Sequence, residues 1–389
     1  MEISIIGAGT AGLTAAYLFA KMKYQNVDIY EKSKKLGWRY LNTVQSLRNY
    51  DEKIDIIKYL NDMGINLPSK LYYPIYKQIR YFPDDTNILI KSTDDKPSFY
   101  NFIRGNNANN SLDRYLYEEA IRSGVRFHFG HSISYNRNSR DHFIISARGS
   151  SHIKKGFELK GIDYQGISNS FPENTIVVIF DNDIAPAGYI SLLPFPMNKG
   201  KFFRISLSVE WDPIKRKYLD TQDTYKKLMK KNYIRENLLK NFKLENIILV
   251  YARCGFINHP KENIIYIGEE FGALDSALGY GNVNAFKTAI AAVNVIREKN
   301  SSLFMQQIRN SGVIDNIGKG VIRRISMRIT SNNNYIKKAK AIIRKTGHNL
   351  DINQYMHIKR LESVGWNKIE KIIKSIIHRI MIFVYLKRF

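Results

Sequence analysis

Six residues near the amino terminus, Gly7-Ala8-Gly9-Thr10-Ala11-Gly12, have the types and spacing to cradle a pyrophosphate. A β-branched run at 3–6 precedes them, and a small, apolar helical pattern at 13–20 follows. A second run, Val27-Asp28-Ile29-Tyr30, ends at Glu31. The three glycines have separate tasks. Gly7 permits the tight turn, Gly9 lets a phosphate approach bare backbone, and Gly12 lets the helix lie close to the strand. The free N–H groups at the helix start, over Ala8, Thr10 and Ala11, then face the pyrophosphate. Glu31, with Lys32 beside it, is placed to accept hydrogen bonds from the ribose hydroxyls of an adenosine. Strand, turn, helix, strand and acid together predict a dinucleotide site, and by themselves leave NAD and FAD open.

A later stretch decides between them. Ile264-Ile265-Tyr266-Ile267-Gly268-Glu269 is followed by Gly272, Asp275 and Leu278-Gly279-Tyr280-Gly281-Asn282, and then by a small, apolar helical pattern from 285 to 296. A strand delivering a glycine and an acid, then Gly-x-Gly opening a long helix, suits the far end of FAD. Glu269 can bind a ribityl hydroxyl. The N–H groups around Gly279, Gly281 and Asn282 can face the electron-rich end of the isoalloxazine, and the helix dipole there favours reduced, anionic flavin. Between the two regions, Arg104-Gly105 precedes a helix face of Leu112, Leu116 and Ala120 that ends at Gly124, with a strand after it.

Taken in order, these motifs resemble the geranylgeranyl reductase family of FAD-dependent oxidoreductases, within the flavoprotein monooxygenase-like superfamily, over roughly residues 2–300. The resemblance implies that Arg104, with the Leu112-Asp113-x-x-Leu116 helix after it, lies beside the flavin. It also implies a lipid pocket. Pro186-Ala187-Gly188-Tyr189-Ile190-Ser191-Leu192-Leu193-Pro194 is similar to the family's P-x-x-Y-x-W-x-F-P signature, so Pro186, Gly188, Tyr189 and Pro194 are the implied substrate-binding residues. Tyr189 is then the candidate nearest the proton path. Three departures stand out: Ser191 replaces the Trp and Leu193 the Phe, Arg148 stands where an Asp follows the 144–147 strand, and the 36–43 loop lacks the family's Cys. The implied activity is reduction of carbon–carbon double bonds in isoprenoid chains of membrane lipids or their precursors. Hydride would come from reduced flavin, with NADPH or a redox protein as electron donor. Two other readings stay open: an FAD-dependent monooxygenase hydroxylating an aromatic or other small apolar substrate, and a basic, non-catalytic flavoprotein binding nucleic acid or membrane. No His–acid pair or set of metal ligands stands out, so no catalytic residue or metal is assigned.

The elements that must position these residues read as α/β. A Rossmann-type FAD-binding domain is assigned to 1–50, 96–156 and 258–300. It is interleaved with a substrate-binding domain of antiparallel β-sheet over 51–95 and 157–257, where apolar runs such as 176–180, 202–209 and 247–252 recur with short links. Residues 301–389 form a basic helical C-terminal region. At 389 residues and 44% hydrophobic, the chain is long and apolar enough for two or three structural units and is not a disordered one. A single cysteine, Cys254, excludes an intramolecular disulfide and a Cys-based cluster. The formal net charge is +25. Residues 301–389 carry 18 Lys+Arg against 4 Asp+Glu, a net +14, and the first 300 carry the remaining +11. Near the C-terminus, Ile369, Ile372, Ile373, Ile376, Ile377 and Ile380 fall on one helical face with Lys368, Lys371, Lys374 and His378 off it. That pattern suits either packing on the domain or contact with anionic lipid. No secretory leader precedes the first strand, and the apolar run 380–386 is far short of the about 20 residues that span a bilayer. The expectation is a cytoplasmic protein, peripheral on the cytoplasmic membrane face if the tail docks there, with no nucleic-acid partner.

Overall fold

The structure, a computed structural model, describes residues 2–357 apart from 41, 94–95, 107, 134–141, 169, 198–199, 211–220, 232–233, 236–239 and 262. The isoleucine face at 369–380 lies outside the described residues.

Five strands pair in parallel, in the spatial order Ile264–Tyr266, His142–Ser146, Glu2–Ile6, Val27–Glu31, Arg126–Phe129. Ile3, Ile5, Val27, Ile29 and Ile145 are all buried, as a parallel sheet covered by helices requires. The Thr10–Lys21 helix packs against both the Leu112–Arg122 and Asn282–Arg297 helices. Its residues 10–20 are buried without a break, which is why the run holds no charged residue and pairs Ala, Gly and Thr with Leu13, Tyr17, Leu18 and Phe19. Ser111 caps the Leu112–Arg122 helix, accepting from the Arg114 N–H at 3.3 Å. This is the Rossmann-like unit that the N-terminal motif predicts.

A small antiparallel sheet joins Val44–Arg48, Phe99–Ile103 and Tyr72–Ile75. The third sheet has eight strands, in the order Lys243–Cys254, Phe157–Ser168, Gly200–Glu210, Tyr189–Met197, Thr175–Ile179, Lys77–Tyr81, Asn87–Lys91, Asn349–Asp351. The sequence predicts an antiparallel substrate sheet, and this sheet is mixed. Thr175–Ile179 runs parallel to Lys77–Tyr81, and Asn349–Asp351 parallel to Asn87–Lys91. Hairpin links enforce antiparallel pairing, whereas a parallel partner needs a long return. Both parallel pairs join segments separated by intervening domain structure, so no hairpin constrains their direction.

Along the central strands the side chains alternate. Ile162, Tyr164, Ile190, Leu192, Ile205 and Leu207 belong to one apolar core. Tyr189, Ser191, Leu193, Arg204 and Ser206 point to the opposite face.

The described part of the basic region is helical, with Phe304–Asn310, Val313–Ile329 and Asn332–Thr346 leading to the Asn349–Asp351 strand. On Val313–Ile329 the buried residues are Val313, Ile317, Gly320, Arg324 and Met327, a stripe at helical spacing with a cation inside it. No described helix is long and apolar enough to cross a membrane.

Candidate functional site

The glycine turn is built as its sequence requires. A Cβ on Gly12 would lie 1.9 Å from the Gly7 carbonyl oxygen, so only glycine lets helix and turn meet. A Cβ on Gly9 would meet nothing within 4 Å. The backbone is therefore tight where it must pack and open where a phosphate would lie. Gly9 and Gly281 are the N-caps of the Thr10–Lys21 and Asn282–Arg297 helices. Neither helix start has a side-chain cap or an acidic residue in its first turn. Two helix N-termini with unsatisfied donors thus stand side by side, tied by the Thr10 hydroxyl donating to Asn282 Oδ1 at 3.3 Å. Glu31 accepts the Ala8 N–H at 2.9 Å and the Ser33 N–H at 2.8 Å. This holds the acid against the turn and leaves lone pairs on both oxygens for a ligand hydroxyl. Lys32 beside it is exposed. These features fit a dinucleotide.

Asn282 belongs to a network that reaches Arg104. Gln45 Oε1 accepts from Asn282 Nδ2 and from Arg104 Nη1, both at 3.0 Å. Arg104 Nε lies 2.9 and 2.8 Å from the two oxygens of Asp113, and the Tyr40 ring covers the guanidinium at 4.3 Å. Arg104 is buried behind the wall, bracing the residues that face the open space.

That space is a cleft between the Rossmann-like unit and the eight-stranded sheet. Glu269, Gly279 and Asn282 line one side together with Arg39, Gln45, Leu274 and Tyr280. Tyr189, Ser191, Leu193, Arg204, Ser206 and Val250 line the other. The structure therefore brings four residues picked from sequence, Glu269, Gly279, Asn282 and Tyr189, to one cleft. Gly268 abuts the nucleotide helix, since a Cβ there would lie 2.8 Å from that of Ala11. Pro186, Gly188 and Pro194 are not on the lining. Pro186 is exposed in a turn, Gly188 is buried in the same turn, and the Pro194 carbonyl accepts from Asn101 Nδ2 at 2.8 Å. Burial pushes the Tyr189 phenol above its ordinary range, and its hydroxyl donates to the Leu278 carbonyl. Tyr189 thereby ties the large sheet to the Gly279 loop.

The two adjacent acids divide the work. Glu269 faces the cleft, 3.5 Å from Arg39 and accepting from the Ser150 hydroxyl at 3.2 Å. Glu270 is fully buried and accepts from Ser146 at 2.6 Å, the Arg148 N–H at 2.8 Å and Arg148 Nη2 at 2.7 Å. This explains Arg148 in the place of an Asp: it closes an ion pair with a buried glutamate. Burial would raise the Glu270 carboxyl, but the hydrogen bonds from Arg148 and Ser146 outweigh it and hold the group below its ordinary 4.5. A depressed carboxylate contributes stability that is present above that ordinary value and is lost as pH falls through the folded-state value. Glu270→Gln is thus expected to lose about 2 kcal/mol at neutral pH, the scale of a lost hydrogen bond to a charged group, because Arg148 is partly exposed. Its acid unfolding curve should also be flatter than the wild type's below about pH 4.5, as followed by circular dichroism.

Sequence reasoning missed the groups that hold the 275–281 loop. Asp275 is buried, 2.9 Å from Arg48 and 3.0 Å from Arg323, and accepts the Ala277 and Leu278 N–H groups. Burial opposes its charge, and the two guanidiniums prevail, holding the carboxyl below its ordinary range. Arg324 donates to the carbonyls of Ser276 at 2.6 Å, Ala277 at 2.8 Å and Ala187. The buried stripe on its helix was the available signal, because a cation at a core spacing must find acceptors there.

The fold is thus a Rossmann-like dinucleotide unit set against a large mixed sheet. Residues 5–59 match a family model described as an NAD(P)-binding Rossmann-like domain. No curated protein matches the chain in sequence. Among solved structures, the chain is similar to a geranylgeranyl bacteriochlorophyll reductase-like protein from Thermoplasma acidophilum, with 14% identity, 91% of this chain and 93% of that one covered, and TM-score 0.69. It is also similar to the p-nitrophenol 4-monooxygenase PnpA from Pseudomonas putida, with 13% identity, 92% and 97% covered, and TM-score 0.66. The myxobacterial chondrochloren halogenase CndH, an FAD-dependent halogenase, follows at 14% identity, 80% and 78% covered, and TM-score 0.59. At these identities the likeness is one of fold.

Proposed function

We propose that this protein is an FAD-dependent oxidoreductase that reduces carbon–carbon double bonds of an isoprenoid-bearing lipid or lipid precursor. The observation that carries the reading is a single cleft with Glu269, Gly279 and Asn282 on one wall and the Tyr189–Met197 strand on the other. The glycine turn and Glu31 would hold the adenosine and pyrophosphate. Glu269 would hold the ribityl chain, and the uncapped N-terminus at Asn282 would face the ring. Reduced FAD supplies a hydride when bound. The chain's own residues supply position and dryness. Leu159, Leu193, Val250, Leu274 and Leu278 line the cleft and would hold an alkene close while excluding water. Tyr189 is a positioning residue, fixing the Gly279 loop through Leu278. The partners that go with this reading are an electron donor, NADPH or a redox protein, and an anionic membrane surface for the basic C-terminal region.

The test is anaerobic. Protein reduced with dithionite and mixed with a geranylgeranyl lipid is expected to add two hydrogens per saturated bond, read by mass spectrometry. The cleft equally admits hydroxylation of a small ring, because Ser191 takes the place of the family's tryptophan and leaves room and polarity there. An NADPH- and oxygen-dependent gain of one oxygen on an aromatic substrate, with no alkene reduced, would establish that second reading instead.

A further inference from the structure

The sheet wall of the cleft is polar at its centre. Strand register puts Leu193, Arg204 and Gln165 in one row and Ser191, Ser206 and Asp163 in the next, all on the face that carries Tyr189. Asp163, Gln165, Ser191 and Ser206 are buried, and the Arg204 side chain is 14% exposed. Arg204 Nε lies 2.8 Å from Asp163 Oδ2, and Nη1 donates to the Val44 carbonyl at 3.1 Å. Among the described residues, Nη2 of Arg204 and the hydroxyls of Ser191 and Ser206 have no protein partner. Asp163 Oδ1 and Gln165 Nε2 are fully buried with none. Arg204, Ser191 and Ser206 are on the cleft lining, so a ligand there would meet hydrogen-bonding groups that no protein group fills, while Asp163 and Gln165 share their rows and are not on the lining.

We propose that the substrate carries a neutral oxygen function, a hydroxyl or carbonyl, that seats against Arg204, Ser191 and Ser206. The inference rests on the cleft being the substrate side of the proposed flavin site. Charge decides against an ionised head group. At the patch itself Asp163 lies 2.8 Å from Arg204, so an ionised head group seated on Arg204 would have to sit beside a buried carboxylate, whereas Lys160, the other lysine or arginine on the sheet side of the lining, stands away from this patch beside Glu158. A wholly hydrocarbon surface fits no better, because it would seal the same donors from water without replacing its hydrogen bonds. The apolar residues flanking the patch then hold whatever chain or ring the oxygen is attached to.

The experiment uses the FAD-loaded full chain and two probe pairs, farnesol against farnesene and 2-naphthol against naphthalene, with farnesyl diphosphate as the charged comparison. Binding is measured by calorimetry. At least one oxygenated probe is expected to bind tenfold or more tightly than its hydrocarbon. Ser191→Ala combined with Ser206→Ala should cut that ratio at least fivefold while leaving the hydrocarbon's affinity and the FAD content alone. Arg204→Lys is the second variant, chosen because it keeps a cation beside Asp163, and it should cut the ratio similarly. Oxygenated probes that bind no better than their hydrocarbons, or a diphosphate that binds tightest, would overturn the inference. Selective binding of 2-naphthol with no binding of farnesol would uphold it and overturn the isoprenoid reading.

Discussion

Gly9→Val is expected to leave the fold intact and raise the dissociation constant for FAD at least a hundredfold, whereas Gly12→Ala damages the fold itself. The two positions lie three residues apart in one turn, and the motif gives them separate tasks. Their surroundings differ. Gly9 has extended backbone dihedrals that any residue can adopt, and a side chain there enters open space. That space is where the pyrophosphate must approach the helix N–H groups, so the side chain competes with ligand alone. A hundredfold loss corresponds to about 2.7 kcal/mol, within what two or three lost hydrogen bonds to a charged group supply. At Gly12 the new methyl would lie 1.9 Å from a backbone oxygen, which no rotamer change relieves. Strand and helix must separate, at a cost of about 3 kcal/mol or more. Thermal unfolding of the apoproteins separates the outcomes: Gly9→Val should melt with the wild type and Gly12→Ala well below it. Wild-type FAD affinity in Gly9→Val would exclude this turn as the phosphate site.

The features legible in sequence were those with local periodicity. The glycine turn, both strands of the first motif, the Leu112–Arg122 helix face and the Gly279-x-Gly281 helix start all depend on residues within a few positions of one another, and the structure forms each of those elements. What escaped depends on pairings across long stretches of chain. The glycine–acid motif puts Glu269 at the cleft, but nothing near it tells what Glu270 does. The answer lies in Arg148 and Ser146, more than 120 positions away. The parallel pairings of the large sheet likewise depend on returns from distant segments. One signal was present and unused. Arg204-Ile205-Ser206-Leu207-Ser208-Val209 alternates polar and apolar residues, the period-two pattern of a strand with one polar face. A pocket inferred from the neighbouring proline-bounded segment alone reads as lipid-lined, whereas the strand beside it contributes an arginine and a serine.

Arg324→Met should be the most damaging change outside the glycine turn, lowering stability by about 3 kcal/mol or more and loosening flavin together with it. Arg324 is wholly buried, and its guanidinium satisfies three backbone carbonyls, two of them in the loop that delivers Gly279 and Gly281. Two effects oppose each other. Methionine removes the penalty of burying a cation, which burial has already made easier to deprotonate than an ordinary arginine. It also strands the three carbonyls, at about 1–3 kcal/mol each. The second effect wins because the loop cannot turn its carbonyls elsewhere. Asp275 Oδ1 pins the Ala277 and Leu278 N–H groups, the Tyr189 hydroxyl takes the Leu278 carbonyl, and Gly320 of the Arg324 helix lies against Ser276 so closely that a Cβ there would come within 2.8 Å of its nitrogen. Arg323→Met is the control. It removes one partly exposed ion pair to Asp275 and leaves Arg48 in place, so it should cost no more than about 1 kcal/mol. Equal melting temperatures and flavin contents in the two variants would mean that the helix only covers the loop. A large difference would mean that part of the basic charge of residues 301–389 is internal scaffolding for the cofactor end of the cleft, and only the remainder is available to any partner.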